Sequence, residues 1–261
     1  MIDGQASVTA QRVAALRLGF DREPADYAEA TLDDRLMADV AGDVDVSTTT
    51  PRMVDYLRAR TRFFDRSVVR AIGDGVTQIV VGAAGYDARA LRYRAPGVRW
   101  YELDHPDTQR DKRARLARLA IDASTVTFVP ADFGRGDVGA RLLDAGFDPG
   151  TRALFTLEGV IAYLDRDVVA AVLASLAGIA ASGSRLAASF STVTPGGEHA
   201  REQFRRRVAA VGEPASGPTT VDDLAELLSA VGWQRTDQPE RAERAGFIEL
   251  VRAAIDTVTD D

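Results

Sequence analysis

The middle of the chain alternates between short apolar runs and longer amphipathic stretches. The apolar runs contain four to six residues and are rich in Val, Leu and Ile, which is typical of strands that are buried on both faces. They predict five strands, at residues 78–81, 98–103, 126–129, 153–157 and 186–191. Amphipathic stretches such as 107–121 and 168–181 lie between them and predict helices. This rhythm predicts an α/β fold in which right-handed crossovers join parallel strands.

The N-terminal part of the chain predicts helices rather than strands. Residues 9–20 carry apolar side chains at helical spacing. A polar, acidic stretch follows through Asp45, without a predicted element. Pro51, in the first turn after three threonines, begins a second predicted helix that runs to about Ile72. The predicted buried stripe of this helix consists of Met53, Leu57, Phe64 and Val68.

The strand–helix rhythm breaks after the fifth strand. Residues 192–219 contain a Pro-Gly-Gly turn and an Arg-rich helical stretch, and we interpret them as an insertion that forms a lid over the strand ends. A helix is predicted from Thr220, a sixth strand at Gly232-Trp233 and a seventh at 247–253. The fold class is therefore a Rossmann-like, seven-stranded, mostly parallel sheet with N-terminal helices and a lid. The helical segment, the core, the lid and the C-terminal completion of the sheet are predicted at residues 1–75, 76–191, 192–219 and 220–261.

The composition excludes several kinds of chemistry. The chain has 261 residues, of which 46% are hydrophobic, and this is enough for a sizeable core. It has no cysteine and only two histidines, His105 and His199. A disulfide, a thiolate nucleophile and a His-rich metal centre are therefore excluded, and we predict no metal site. The net charge of −7 argues against non-specific binding to nucleic acid, which requires a basic surface.

Two features of the sequence predict a cytoplasmic protein. The N-terminus lacks the basic-then-apolar pattern of a signal peptide. The longest apolar stretch, at residues 168–181, is shorter than the roughly 20 residues that span a membrane. We expect a small-molecule substrate, and the sequence leaves the oligomeric state open.

The first two predicted strands each end in a motif of the kind that binds a nucleoside. Gly82-Ala83-Ala84-Gly85-Tyr86-Asp87 follows the first strand, and Glu102-Leu103-Asp104 ends the second. Glycine lets a ligand approach the backbone closely, and a carboxylate at the next strand end can accept hydrogen bonds from both ribose hydroxyls. Each motif alone is also compatible with an ordinary turn or a solvated acid. Together they favour a nucleoside ligand.

The glycine loop also distinguishes between classes of cofactor. An NAD site usually has the pattern G-x-G-x-x-G, with a pyrophosphate at the N-terminus of the next helix. This loop lacks the first G-x-G and carries Asp87 where a phosphate would be repelled. It favours a ligand without phosphates, such as S-adenosylmethionine, and an NAD(P)-dependent oxidoreductase is the alternative.

Three further groups of residues are candidates for binding. Asp132 and Phe133, after the third strand, can bind the amino group of adenine and stack on the base, or can equally be a turn and a core residue. Glu158 and Tyr163, after the fourth strand, are placed to border the other end of the ligand. An arginine from the helix before the first strand can clamp a carboxylate, although such a run is usually a solvated face; the run is Arg58, Arg60 and Arg62. We interpret the basic residues of the helix at 107–121 as a solvated outer face: Arg110, Lys112, Arg113, Arg115 and Arg118.

These motifs resemble the leucine carboxyl methyltransferase family, and in particular its actinobacterial branch of S-adenosylmethionine-dependent methyltransferases. The resemblance covers roughly residues 50–190, and its most specific part combines a Y-D-x-R loop with an E-x-D-H-P segment. The matching segments are R-T-R-F-F-D at 60–65, V-G-A-A-G-Y-D-A-R at 81–89, Y-E-L-D-H-P at 101–106, D-K-R at 111–113, P-A-D-F at 130–133, and L-E-G-V and Y-L within 157–164.

The resemblance implies a class I methyltransferase fold that binds S-adenosylmethionine. It implies that Asp104 holds the ribose and that Asp132 and Phe133 hold the adenine. Glu158 would border the methionine end, and Arg60 would hold the methionine carboxylate. These assignments give the cofactor a site made by the ends of four strands and one preceding helix.

The glycine loop contains one departure from the family's pattern. The resemblance implies that Gly82, Ala83 and Gly85 pass along the ligand. The family usually has G-A-G at residues 83–85, whereas this chain has alanine at the first of these positions. The added methyl group would shift the ligand or weaken its binding.

We predict transfer of the sulfonium methyl group to an oxygen of a small molecule, in the first instance a carboxylate. A carboxylate is ionised at neutral pH, so this reaction needs no general base. If the acceptor is a phenol or another hydroxyl, Tyr163 and His199 are the candidate bases. The remaining alternative to an enzyme is a non-catalytic module that binds a nucleoside.

Overall fold

The structure is a computed structural model that describes residues 6–135, 137–190, 206, 221–236 and 246–253. Its strands are β1 (Gln78–Gly82), β2 (Arg99–Asp104), β3 (Val126–Pro130), β4 (Ala153–Leu157), β5 (Arg185–Ser189), β6 (Trp233–Arg235) and β7 (Phe247–Arg252). They form one sheet in the order β3-β2-β1-β4-β5-β7-β6. All pairs are parallel except those of β7, which runs antiparallel to β5 and β6. The predicted seven-stranded, mostly parallel sheet is confirmed.

The strand order reverses at β1, and this determines where a ligand can bind. β1 lies between β2 and β4, so the connections that leave it and its neighbours diverge to opposite sides of the sheet. Gly82, at the end of β1, is in register with Leu103 on one side and Leu157 on the other. The loops that follow these three strands therefore start at the same edge of the sheet. Ligands of open α/β sheets bind in the crevice at such a point.

Helices cover both faces of the sheet. They are α1 (Val8–Arg17), α2 (Ala30–Ala41), α3 (Pro51–Gly73), α4 (Arg89–Arg92), α5 (Pro106–Arg118), α6 (Val138–Asp144), α7 (Arg166–Ile179) and α8 (Val221–Ala230). The helices predicted from the sequence correspond to α1, α3, α5, α7 and α8. Burial on both faces explains the apolar character of β1 and β4, in which every residue is buried.

The acidic stretch after the first helix contains a helix that the sequence pattern did not predict. α2 buries Leu36, Met37 and Val40, which form an apolar cluster with Ala14 of α1. These three residues have helical spacing, but they lie among charged residues that obscured the pattern. The same cluster includes Tyr86 of the glycine loop, so α1 and α2 pack beside this loop.

Two predictions about helix faces were wrong in part. Met53 is 39% exposed, because it lies in the first turn of α3 and the buried face of this helix begins at Leu57. On α5, Arg110 and Arg118 are exposed as predicted, but Lys112 and Arg115 are buried. Their long side chains reach buried or partly buried carboxylates and are therefore not solvated.

The predicted lid at 192–219, with His199, lies outside the described residues apart from residue 206. The lid and the division of the chain into segments stay predictions. Among the residues that the structure describes, no helix combines the length and apolarity that a membrane span requires. The same residues contain no group of three or more side chains that could hold a metal ion.

Candidate functional site

A cavity of about 530 Å³ lies at the carboxyl ends of β1, β2 and β4, with one side formed by α1. Its volume is in the range of small-molecule sites. It brings together nine described residues that the sequence predicted to bind or act on a ligand: Arg60, Gly82, Ala83, Gly85, Asp104, Asp132, Phe133, Glu158 and Tyr163. Arg58 and Arg62, the other arginines of the predicted run, are exposed and do not line it. The nine residues are dispersed over about 100 positions of the chain, so the parallel sheet is what makes them one site.

The glycine loop forms one wall of the cavity, and its backbone explains two of its residues. A side chain at Gly82 would place its Cβ 2.7 Å from Cδ2 of Leu157 and 3.3 Å from the ring of Phe133. Gly85 has φ +52°, and its missing side chain leaves room for Ala10 of α1. Ala83 also has φ +52°, which is uncommon for any residue other than glycine. The position at which this chain departs from the family's glycine is thus one that favours glycine.

Asp104, at the end of β2, lies where the loop and α5 meet. Its carboxylate accepts hydrogen bonds from the backbone N–H of Gly85 and, at 2.6 Å, from that of His105. Burial raises the pKa of Asp104, although these two N–H groups oppose the shift. The carboxylate is therefore fixed in orientation at the cavity wall, and it keeps lone pairs that a ligand can use.

Asp132 and Phe133 close the cavity beyond Asp104. Asp132 is exposed, and its Oδ1 accepts a hydrogen bond from the backbone N–H of Gly134 at 2.9 Å. Phe133 is 8% exposed and begins a single 3₁₀ turn. An exposed carboxylate beside a mostly buried aromatic ring is an arrangement that can bind the amino edge and the face of a purine.

The opposite end of the cavity is dominated by arginines around one carboxylate. Glu158 Oε1 accepts from Arg17 Nη2 at 2.6 Å and from Arg60 Nε at 2.9 Å, and its Oε2 accepts from Arg89 Nη1 at 2.6 Å. Burial alone would raise the pKa of Glu158, but the charges of Arg17, Arg89 and Arg60 hold it well below its usual value. Glu158 is thus an ionised anchor for arginines.

Gly159 allows Arg60 to reach this position. Gly159 has φ +69°, and a Cβ there would lie 2.9 Å from Nη1 of Arg60. Its backbone N–H donates to Oγ of Ser189 at 2.7 Å, which fixes the turn after β4. Tyr163 lines the cavity from the 3₁₀ turn Ile161–Tyr163 that follows. The guanidinium of Arg60 therefore lies flat over a turn that has no room for a side chain.

The sequence did not predict two arginines of this cluster. Arg17 lines the cavity from α1, together with Ala10, Val13 and Ala14. The spacing of these four residues (i, i+3, i+4, i+7) marks one helix face and was the available signal. Arg89 does not line the cavity and is 2% exposed. It lies within the matched Y-D-A-R segment, but no pattern indicated its partners.

Of the two acids at the end of β2, only Asp104 lines the cavity. Glu102 is buried and accepts a hydrogen bond from Lys112 Nζ at 2.6 Å. Burial raises the pKa of Glu102, and Lys112 opposes this shift. Lys112 also donates to the backbone oxygen of Asp87 in the glycine loop. This pair therefore connects α5, β2 and the loop from behind the cavity.

A sequence model of a known protein family matches the part of the chain that contains these residues. The model named "Leucine carboxyl methyltransferase" matches residues 13–177, which is more than half of the chain. The chain belongs to the leucine carboxyl methyltransferase family. This confirms the resemblance predicted from the motifs, and the matched range includes Arg17 and every described candidate residue of the cavity.

Two relatives of this leucine carboxyl methyltransferase family member come from actinobacteria. A protein of Mycolicibacterium vanbaalenii is 35% identical over 196 residues, which cover 72% of this chain and 65% of that protein. A protein of Mycolicibacterium paratuberculosis is 33% identical over 208 residues, which cover 76% and 68%. Both are named "Putative S-adenosyl-L-methionine-dependent methyltransferase". The chain thus spans about two thirds of the length of these relatives.

Solved structures support the fold at much lower identity. A crystal structure described as a "putative methyltransferase" from Thermobifida fusca superimposes with a TM-score of 0.63 at 20% identity, and the match covers 97% of both chains. Magnesium protoporphyrin IX methyltransferase from Synechocystis, solved with bound SAH, gives 0.53 at 14% identity and covers 80% of this chain and 90% of that one. At these identities the likeness concerns the fold, which is that of class I methyltransferases as predicted.

Proposed function

We propose that the protein is an S-adenosylmethionine-dependent methyltransferase and that the cavity holds this cofactor. The observation that carries the proposal is the difference between the two ends of the cavity. Carboxylates lie at one end, and arginines around Glu158 lie at the other. The cofactor has matching halves, because its ribose and adenine offer hydrogen-bond donors and its amino acid offers a carboxylate. The names of the relatives agree with this assignment.

The charge at the arginine end supports a carboxylate ligand. Arg17 and Arg60 both pair with Glu158, and the buried Arg89 shares this carboxylate with them. Arg17 and Arg89 also share Asp87, and Arg89 has a third carboxylate partner in Asp65. Burial lowers the pKa of Arg17, and Arg89 adds to this effect, although Glu158 and Asp87 oppose it. Arg17 and Arg60 are therefore the two arginines of this cluster that line the cavity and can donate to a ligand. A ligand carboxylate beside them would accept hydrogen bonds from their remaining N–H groups.

The carboxylates of the glycine loop and of β2 disfavour the alternative of an NAD(P)-dependent oxidoreductase. Asp87 is 6% exposed at the end of the glycine loop, where its Oδ1 accepts a hydrogen bond from the backbone N–H of Arg89 at 2.8 Å, and Asp104 also lines the cavity. A pyrophosphate in this position would meet two carboxylates instead of free backbone N–H groups. We expect no heat of binding with NAD or NADP and a measurable one with S-adenosylmethionine; the opposite pair of results would reject the proposal.

We further propose that the methyl acceptor is a carboxylate of a small molecule. When bound, S-adenosylmethionine supplies an electrophilic methyl group on its sulfur. Glu158 is a poor general base, because its three arginine partners hold its pKa low. An acceptor that is already ionised needs no base, and the protein then contributes orientation and exclusion of water. α1 covers the cavity and is suited to exclude water.

A phenol or another hydroxyl is the alternative acceptor. It would need a base, and Tyr163 is the residue of the cavity wall to test first; His199 stays a prediction outside the described residues. Methyl esters are cleaved by mild base and methyl ethers are not. Incubation with labelled S-adenosylmethionine and a panel of carboxylic acids and phenols, followed by base treatment of the products, distinguishes the two. A base-stable product would reject the carboxylate proposal.

Asp104→Ala tests the placement of the cofactor. It removes charge-assisted hydrogen bonds worth about 1.5–3 kcal/mol each, so the affinity for S-adenosylmethionine should fall roughly ten- to hundred-fold. Asp122→Ala, which removes an exposed acid outside the cavity, is the control and should leave affinity unchanged. Unchanged affinity in folded Asp104→Ala would contradict the placement. Binding without formation of S-adenosylhomocysteine across the whole panel would instead support a non-catalytic module.

A further inference from the structure

We propose that Arg89, which does not line the cavity, is a positioning residue that keeps Arg17 and Arg60 free to bind the carboxylate of the cofactor's methionine half. The inference rests on the proposed function for the identity of the ligand. It adds a role for a buried residue that does not line the cavity but contacts Asp87 and Glu158, which do.

Arg89 is held rigidly by three parts of the fold. Its Nε donates to Asp65 Oδ1 at 2.7 Å and its Nη2 donates to the backbone oxygen of Thr61 at 3.2 Å, and both acceptors belong to α3. Its guanidinium lies over the ring of Phe64 on the same helix, 5.6 Å from the centroid. Its Nη1 donates to Asp87 after β1 and to Glu158 after β4. A side chain with these partners and 2% exposure has one available orientation.

Two of the three carboxylates that Arg89 contacts, Asp87 and Glu158, also pair with Arg17. Arg17 Nη2 donates to Glu158 Oε1 at 2.6 Å, and Arg17 Nη1 donates to Asp87 Oδ2 at 3.3 Å. Arg60 uses the same Oε1 of Glu158 at 2.9 Å. Arg89 takes the other oxygen, Oε2. One oxygen of Glu158 therefore accepts from the buried arginine, and the other accepts from the two arginines that line the cavity.

This division determines which hydrogen-bond donors remain for a ligand. With Arg89 present, a buried donor occupies Oε2 of Glu158 and part of Asp87. Without Arg89, these two carboxylates would be left to Arg17 and Arg60, and Oε2 of Glu158 would be a buried acceptor without its donor. The carboxylate would then rotate toward Arg17 and Arg60 and take the donors that a ligand needs. Loss of Arg89 should thus weaken binding of the amino-acid half of the cofactor and spare the nucleoside half.

Two probes separate these halves. S-adenosylmethionine contains both, whereas 5′-methylthioadenosine has the same adenine, ribose and sulfur without the amino acid. Their affinities for purified wild-type, Arg89→Met and Arg89→Lys proteins are measured by calorimetry. We expect Arg89→Met to lower the affinity for S-adenosylmethionine by about ten-fold or more and that for methylthioadenosine by less than about two-fold. Arg89→Lys, which keeps the charge but cannot reach all its partners, should give an intermediate ratio.

Arg92→Lys is the matched control. Arg92 lies on the same short helix, is 9% exposed and pairs with Asp33 and Asp34, but it contacts neither Asp87 nor Glu158. It should lower stability to thermal unfolding and leave the ratio of the two affinities unchanged. A merely structural role for Arg89 would instead lower both affinities alike in Arg89→Met, and this result would overturn the inference.

A second variant serves if Arg89→Met does not fold. Arg89→Gln removes the charge but keeps amide donors for the buried acceptors, and it should shift the affinity ratio in the same direction by about three-fold. An unchanged ratio in folded Arg89→Gln would overturn the inference. The proposed function fails separately, if the wild-type protein does not bind S-adenosylmethionine. If the wild-type protein binds S-adenosylmethionine more tightly than methylthioadenosine and Arg89→Met keeps this preference, the role of Arg89 is rejected and the proposed function stands.

Discussion

Ala83→Gly should not destabilise this protein, although glycine usually weakens a folded structure. Ala83 has φ +52°, in the left-handed region where an L-residue costs about 1–2 kcal/mol relative to glycine. Glycine removes this strain but gives the unfolded chain more freedom, which costs about 0.4–1 kcal/mol. Part of the remaining gain is offset by the buried methyl surface that is lost, since Ala83 packs against the core. We expect the free energy of unfolding to rise by about 0–1 kcal/mol.

Urea unfolding of three variants measures this effect. Ala84, the next residue, is 6% exposed and does not have a positive φ, so Ala84→Gly relieves no strain and should lower the free energy of unfolding by about 1–2 kcal/mol. Ala120 has φ +49° and is exposed after the end of α5, so Ala120→Gly should behave like Ala83→Gly. An Ala83→Gly variant destabilised as much as Ala84→Gly would refute the reasoning.

The same variants separate stability from binding. Ala83 lines the cavity and Ala120 does not. Ala83→Gly removes a methyl group from the wall, so it should bind S-adenosylmethionine at least as tightly as the wild-type protein. Ala120→Gly should leave this affinity unchanged. Weaker binding by Ala83→Gly would mean that the alanine contacts the ligand favourably, against the expectation from the family's glycine.

Three further predictions concern one residue of the cavity wall and two buried groups behind it. Gly159→Ala should displace Arg60, since a Cβ would lie 2.9 Å from its Nη1, and we expect a higher KM for S-adenosylmethionine with a smaller change in kcat. Lys112→Met should lower the free energy of unfolding by about 3–5 kcal/mol, because it leaves the Glu102 carboxylate buried without its cation, and adding Glu102→Gln should restore part of this loss in urea unfolding. Burial alone would raise the pKa of Asp65, but its two arginine partners lower it from 3.8 to about 2. The folded pKa lies below the unfolded one, so about 2 kcal/mol of stability is present above roughly pH 4 and is lost as the pH falls toward 2. Asp65→Asn should flatten this pH dependence, and an unchanged profile would contradict the assignment.

The sequence predicted much of the fold because its strands are buried on both faces. Five apolar runs in the middle of the chain correspond to β1 to β5, and their bounds differ from the predictions by at most two residues at either end. α2 was missed because its apolar residues are few and lie among acids. The local pattern thus identified elements in which most residues are buried and apolar. It failed for a helix that is mostly polar and buries only a small face.

The candidate site was predictable where its residues follow strands and not where they meet through space. Asp104, Asp132 and Glu158 each follow a strand end directly, and the common edge of a parallel sheet implies that they converge. Arg17 belongs to a helix that crosses over this edge from the far N-terminal end of the chain. No regular spacing relates it to Glu158, 141 positions later. Which carboxylate an arginine pairs with depends on the distance between the two groups in the folded protein.

The order of apolar and polar residues by itself determined the α/β class, the strand ends that carry the cavity and the family to which the chain belongs, because these depend on periodicity and on short contiguous motifs. Only the tertiary structure decided how the charges pair. In the folded protein Lys112 and Arg115 are buried, Lys112 pairs with Glu102, and Glu158 pairs with three arginines. Electrostatic pairing depends on separation and on burial, and neither quantity is a property of sequence spacing.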